Sequence, residues 1–366
     1  MDWTRRAVLA SGALTLSGCS ATLRADPAAG SSPIDRDVDA ALGFGGDAML
    51  GRNVTDRWVG RDPAGVWGGL RSRLQSLDGF VCNLECCISE GGERWPDKVY
   101  RFRADPDFAV PALEAAGTSA VSLANNHTLD FGAAALSDTL DHLDAADIGA
   151  AGAGMTREAA LAPAVADVGD LTVAVVAFTD QFRPYRAGLD SPGTAYLPLD
   201  PDRRRTRQTV RRSLRQARED DPDLVVASLH WGPNWVVAPD RTQQRFARWL
   251  VDEGVDVVHG HSAHVLQGVE TYRGRPILYD TADIVDDYVV KEHLHNNWSG
   301  LFELVVERGA LAGVRAAPVE IVDEAVGPAS TEAAEWVRDR IRALSGEFGT
   351  RIERDGSALW IPLTDT

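Results

Sequence analysis

Acidic, amide and imidazole side chains recur in this chain where short apolar runs end. Asp47 follows ALGFGG, Asn83 and Glu85 close GFVCNLE, and Asn125, Asn126 and His127 interrupt SAVSLANNHTLDFG. His230 ends LVVASLH, and His259, His261 and His264 crowd the segment VVHGHSAH. Five of the eight histidines lie in these short segments, a preference that surface histidines have no reason to show. Two carboxylates, an amide oxygen and three or four imidazoles make a mixed oxygen and nitrogen ligand set. Such a set suits Zn, Mn or Fe better than Ca or Mg, which prefer oxygen alone. There are enough ligands for a pair of ions at the spacing of roughly 3.5–4 Å found in two-metal hydrolases, with Asp47 or Glu85 as the bridge. Turn chemistry is the competing reading of SLANNHTLDFG, because Asn caps helices and Gly132 suits a tight bend. Buried amides and imidazoles still need partners, whichever reading holds.

These residues do chemistry together only if the fold brings them to one place. Strands are expected at 41–46, 79–84, 118–124, 171–178, 224–230 and 255–259, where Val, Ala and Leu run together. Amphipathic stretches at 64–77, 106–116, 132–146, 202–220 and 241–253 read as helices. Their alternation argues for an α/β architecture with a largely parallel central sheet. The carboxyl ends of such strands share one edge, and ligands bind there. Two later segments, around Arg273-Gly274 and Arg308-Gly309, read as hairpins and suggest a second sheet packed on the first. With no linker inside 40–325, one domain is expected over 41–325, followed by a C-terminal helix and tail over 326–366.

The chain has 366 residues and a formal charge of −17. That field disfavours nucleic acid and anionic membrane surfaces as partners and attracts cations. Residues 1–18 read as a signal peptide: Arg5-Arg6 precede a short apolar run, as in twin-arginine export, and Leu16-Ser17-Gly18-Cys19 looks like a lipobox. Lipid on Cys19 would anchor the protein to the outer face of the cytoplasmic membrane, its only membrane contact, through a flexible tether over 19–40. Cys82, Cys86 and Cys87 are odd in number and read as buried thiols. The arginines of 202–220 read as a solvated face paired with acidic surface, or else as a contact for an anionic polymer.

GFGGDAMLGR, Asn83-Leu84-Glu85, SLANNHTLDFG, SLHWG and GHSAHVLQGVE, in this order and spacing, resemble the capsule-synthesis CapA family of the calcineurin-like metallophosphoesterase superfamily. The resemblance spans about residues 41–290. It implies a four-layer α/β/β/α sandwich with two metal ions at the strand ends. It makes Asp47, Asn126, His230, His261 and His264 ligands, Glu85 a ligand and the candidate bridge, and His127 the catalytic residue that protonates a leaving group. Asn83, Asn125, Asp130, His259 and Asp283 are expected to support these ligands from behind. The chain departs from the family where Ala48 and Met49 follow Asp47, where Ser262 and Ala263 replace a His-Pro pair, and at YDTADIVDDY, which replaces a Gly-Asn-Phe type segment. One possible ligand is thereby absent, and besides its supporting place His259 is open as a substitute for it. Three activities stay open: metal-assisted hydrolysis of a phosphoester, amide hydrolysis or transfer on poly-γ-glutamate or another anionic polymer, and a non-enzymatic role in envelope polymer assembly.

Overall fold

A computed structural model describes residues 38–364. The signal peptide, Cys19 and the tether as far as residue 37 lie outside the described residues. Val38, Asp39 and Ala40, assigned above to the tether, begin the first strand.

Six strands carry the motifs: β1 (Val38–Ala48), β2 (Gly79–Leu84), β3 (Thr118–Ser122), β4 (Leu171–Thr179), β5 (Leu224–His230) and β6 (Val257–His261). They divide between two sheets rather than forming one. β1, β2 and β3 lie side by side and parallel in the larger sheet, and β4, β5 and β6 do the same in the smaller. The two late hairpins form no sheet of their own. Val269–Tyr272 and Arg275–Leu278 extend the smaller sheet beyond β6, whereas Trp298–Glu307 and Ala310–Val322 extend the larger one beyond β1. An isolated hairpin is marginal in water, so joining an existing sheet is the stable outcome. The C-terminal stretch returns to the larger sheet as well, where Ala358–Pro362 pairs with Ala310–Val322.

The sheets pack face to face. Leu42, Phe44 and Val81 of the larger share one buried cluster with Val175, Val226 and Val257 of the smaller, and helix Thr331–Gly346 adds Val337 and Ile341. Outside the larger sheet, helices Pro106–Ala115 and Gly132–Ala145 bury Phe108, Leu113, Leu136 and Leu143. Outside the smaller one, helices Arg204–Ala217 and Arg241–Asp252 bury Val210, Leu214, Phe246 and Leu250. The order is helix, sheet, sheet, helix, a four-layer α/β/β/α sandwich. Strands covered on both faces read as continuous apolar runs, and burying each Val, Leu or Phe contributes about 1.5–3 kcal/mol. Parallel pairing in register sets the strand ends flush: Asp47 stands beside Asn83, Asn83 beside Ser122, and His230 beside His261.

Candidate metal centre

Two glycines let the backbone close around the first ligand. A Cβ on Gly46 would lie 1.7 Å from the Ala282 carbonyl oxygen, and one on Gly260 would lie 2.1 Å from that of Tyr279. Only glycine admits residues 279–283 against both β1 and β6. The Asp47 amide then donates to the Ala282 carbonyl at 2.9 Å, and the Thr281 amide donates to that of Gly260 at 2.9 Å. This close approach sets Asp283 in register beside Asp47.

At the rim, Asp47, His230 and His261 each present a ligand atom within 4.8 Å of one another, and so do Asp47, Glu85, His264 and Asp283. Asp47 belongs to both groups. Its Oδ1 is 3.1 Å from His261 Nδ1 and 3.6 Å from His230 Nδ1, while its Oδ2 is 3.3 Å from His264 Nδ1. Glu85 Oε1 is 3.8 Å from His230 Nε2, and Asn126 Oδ1 is 2.9 Å from the same nitrogen. All the expected ligands therefore meet at one place, and Asp283 joins them. Glu85, the expected bridge, belongs to one group only.

The donor set can hold a cation. Glu85 Oε1 and Asp283 Oδ2 are buried with no hydrogen-bond partner, a costly condition that a metal ion would relieve. Electrostatics point the same way. Burial and the Asp47 charge push the Glu85 carboxyl well above its ordinary range. Burial opposes charge on Asp47, yet hydrogen bonds and charge from His230, with His261 and His264, hold it well below the usual carboxylate range. Burial also opposes a charged His264, but Asp283 and Glu85 outweigh it and raise that imidazole well above its ordinary value.

The first asparagine of SLANNHTLDFG organises the turn and its neighbours, which leaves the second free for the site. Asn125 Nδ2 donates to Asn83 Oδ1 at 3.1 Å and to the Leu84 carbonyl at 2.8 Å, while its Oδ1 accepts from the His127 amide at 2.9 Å. Asn83 Nδ2 in turn donates to Asp47 Oδ1 at 2.7 Å. Asn126, half-buried, faces His230.

His127 is held from behind. Its Nδ1 is 2.6 Å from Asp130 Oδ2, its ring stacks on Phe102 with centroids 3.7 Å apart, and its Nε2 is 3.9 Å from Glu85 Oε1. Lys98 donates to Asp130 and to the Asn126 carbonyl and lies 3.2 Å from His127 Nδ1. The Tyr185 hydroxyl donates to Asp130 Oδ1 at 2.7 Å. Burial pushes the imidazole down to about 4. The resting side chain is neutral, with its proton on Nδ1 facing Asp130 and Nε2 free to accept. Neither Lys98 nor Tyr185 belongs to a motif, but Lys98 left a signal: it is one of only two lysines in an arginine-rich chain.

His259 lies outside both ligand groups, in the supporting place expected of it. It sits two residues deeper in β6 than His261, where its Nε2 is 2.9 Å from the Gly45 carbonyl and its Nδ1 is 3.3 Å from Ser228 Oγ. Burial pushes it down to about 3. Ser228 lies 3.0 Å from His261 Nε2 on its other side, so the serine links the two rings. Asp283, expected only in support, offers an oxygen to the second of those ligand groups. Ser262, His264 and Ala282 take positive φ angles of 107°, 56° and 60°, local strain of about 1–3 kcal/mol each, of a kind that gathers at functional sites. The Tyr288 hydroxyl donates to Glu85 Oε2 at 3.5 Å, and Trp235 lies 5.3 Å from the His264 ring. Nothing in the sequence pattern singled out either residue.

The profile of the bacterial capsule synthesis protein PGA_cap matches residues 41–288. A probable polyglutamine synthesis accessory protein of Mycobacterium tuberculosis is 34% identical over 352 residues, covering 84% of this chain and 92% of that protein. The capsule biosynthesis protein CapA of Bacillus anthracis is 30% identical over 276 residues, covering 71% of this chain and 65% of that one. The PGA biosynthesis protein CapA of Bacillus subtilis is 26% identical, with 71% and 69% covered. A crystal structure of a hypothetical protein from Thermus thermophilus superposes with a TM-score of 0.45 at 14% identity, over 76% of this chain and 99% of that one.

Proposed function

The chain belongs to the bacterial capsule synthesis protein family, and on that premise we propose that it is a cell-surface, metal-dependent hydrolase of phosphoesterase type, working in capsule or poly-γ-glutamate synthesis or export. Membership associates it with capsule and polyglutamate synthesis. The hydrolytic chemistry rests on one observation: Asp47 is common to two buried ligand groups, and in the second Glu85 and Asp283 each keep a buried oxygen with no hydrogen-bond partner. Two ions of Mn, Zn or Fe are the reading that this donor set favours. Export by the twin-arginine route and a lipid on Cys19 complete the proposal, with a phosphoester or an anionic polymer as substrate.

Ions held by Asp47, His230 and His261 on one side, and by Asp47, Glu85, His264 and Asp283 on the other, would supply Lewis-acid polarisation of water and of a phosphoryl oxygen. The protein's own groups do the rest. Asn83 and the Ser262 amide fix both Asp47 oxygens, at 2.7 and 3.1 Å. Asp130 holds the proton on His127 Nδ1, so Nε2 can take a proton and return it to a leaving oxygen. Asp130 then stabilises the imidazolium while Phe102 keeps its plane fixed. Acting as an acid therefore requires His127 to be charged first, since it rests neutral.

The test is to assay p-nitrophenyl phosphate and bis-p-nitrophenyl phosphate with and without a chelator. Hydrolysis that the chelator abolishes and Mn or Zn restores is the expected result. Chelator-insensitive turnover, or none with metal present, would refute it.

A further inference from the structure

The arginine-rich stretch is a helix, Arg204–Ala217, that buries Val210 and Leu214 and turns many guanidinium groups outward. Some of these are paired with acidic surface: Arg211 with Glu253 at 2.6 Å, and Arg212 with Glu158 at 3.3 Å. Others are not. Arg157, Arg186, Arg204 and Arg205 make no side-chain hydrogen bond or ion pair among the described residues, although the chain carries 54 acidic residues against 37 basic ones. These four, with Arg203 and Arg212, line one open groove of about 1070 Å³ in which the acidic residues are Glu158 and Asp190. Unpaired guanidinium groups gathered in a groove of an otherwise acidic molecule are an electrostatic trap for a multivalent anion, and the planar fork suits carboxylates.

The groove's position ties it to the metal centre. The helix follows β4 and precedes the parallel β5, so its first turn lies at the carboxyl ends of the strands. Leu197, which lines the groove, donates its amide to the Thr179 carbonyl at 2.8 Å, and Thr179 stands in register beside His230. Arg186 directly follows Tyr185, whose hydroxyl donates to Asp130 behind His127.

We propose that this groove binds the carboxylates of a linear polycarboxylate chain and leads it along the rim to the metal centre; the assignment of a polyglutamate-type polymer rests on the function proposed above. Binding of labelled poly-γ-glutamate to the full-length chain can be followed by fluorescence anisotropy. The triple variant R186Q/R204Q/R205Q alters only exposed, unpartnered groups, so its melting temperature should match that of the parent. Its affinity should fall about tenfold, equivalent to about 1.4 kcal/mol. The control variant R61Q/R215Q/R308Q removes three equally unpartnered charges elsewhere and should bind like the parent.

Absence of binding by the parent, equal losses in both triple variants, or equally tight binding of polyphosphate or an oligonucleotide would overturn the proposal. Its failure is separable from failure of the hydrolase reading. Chelator-sensitive hydrolysis beside polymer binding that is unmoved in R186Q/R204Q/R205Q would sink the groove alone. Groove-dependent binding without any hydrolysis would sustain it alone.

Discussion

Asn125 joins the end of β2 to the turn after β3 through Asn83, the Leu84 carbonyl and the His127 amide. Partners that orient metal ligands typically contribute about 10- to 100-fold in affinity. Asn125→Ala should therefore weaken metal binding by about that range with little change in far-UV circular dichroism, and titration with Mn or Zn will show whether it does. The three thiols behave differently, as closed-off apolar groups. Burial, with the Asp47 charge for the first and the Asp130 charge for the second, pushes Cys82 and Cys87 up to about 12. Unfolded thiols ionise near about 8.5, so above that pH the unfolded chain loses protons that the folded chain keeps, and stability must fall as pH rises from about 8.5 towards about 12. At pH 8 the native protein should resist thiol reagents at Cys82, Cys86 and Cys87; rapid native labelling by peptide mapping would show that these sites open.

Elements are joined by a buried ion network as well as by packing. Glu303, on Trp298–Glu307, accepts from Arg73 Nε at 2.6 Å and from Arg315 Nη1 at 3.2 Å, and Arg315 Nε donates to Asp355 at 3.0 Å. This ties helix Arg71–Leu74 and two neighbouring strands to the C-terminal hairpin. Removing Glu303 takes away the carboxylate that both guanidinium groups share and leaves Arg315 with Asp355, so Glu303→Ala should cost about 3–5 kcal/mol in urea unfolding; a loss below about 1 kcal/mol, the range of an exposed pair, would show the network to be slack. The strands themselves were legible because Val- and Ala-rich runs stop at polar clusters. Their division into two sheets was not, since a strand covered on both faces reads the same in either sheet. The late hairpins were legible as hairpins, but edge pairing depends on which sheet lies nearby.

Across the whole molecule, two sheets with parallel strands set their carboxyl ends at one rim, and residues separated by up to 236 positions, from Asp47 to Asp283, become neighbours. Asp47, His230 and His261 could be read from the sequence because each lies at the end of a strand, and Asn126 and His127 because they lie in the turn that follows one. Asp283 could be read only as a supporting residue: it reaches the site through a close approach at Gly46, a tertiary event that no local pattern records. His259, expected behind the ligands, sits two residues deeper between the sheets than His261 and is linked to it through Ser228. The most direct measurement is metal content by mass spectrometry in the full-length protein and in two variants. Two ions per chain in the parent, one in His230→Ala and none in Asp47→Ala are the expected results, because Asp47 alone is common to both ligand groups. A parent without bound metal, or an Asp47→Ala protein that keeps both ions, would contradict the shared-ligand site.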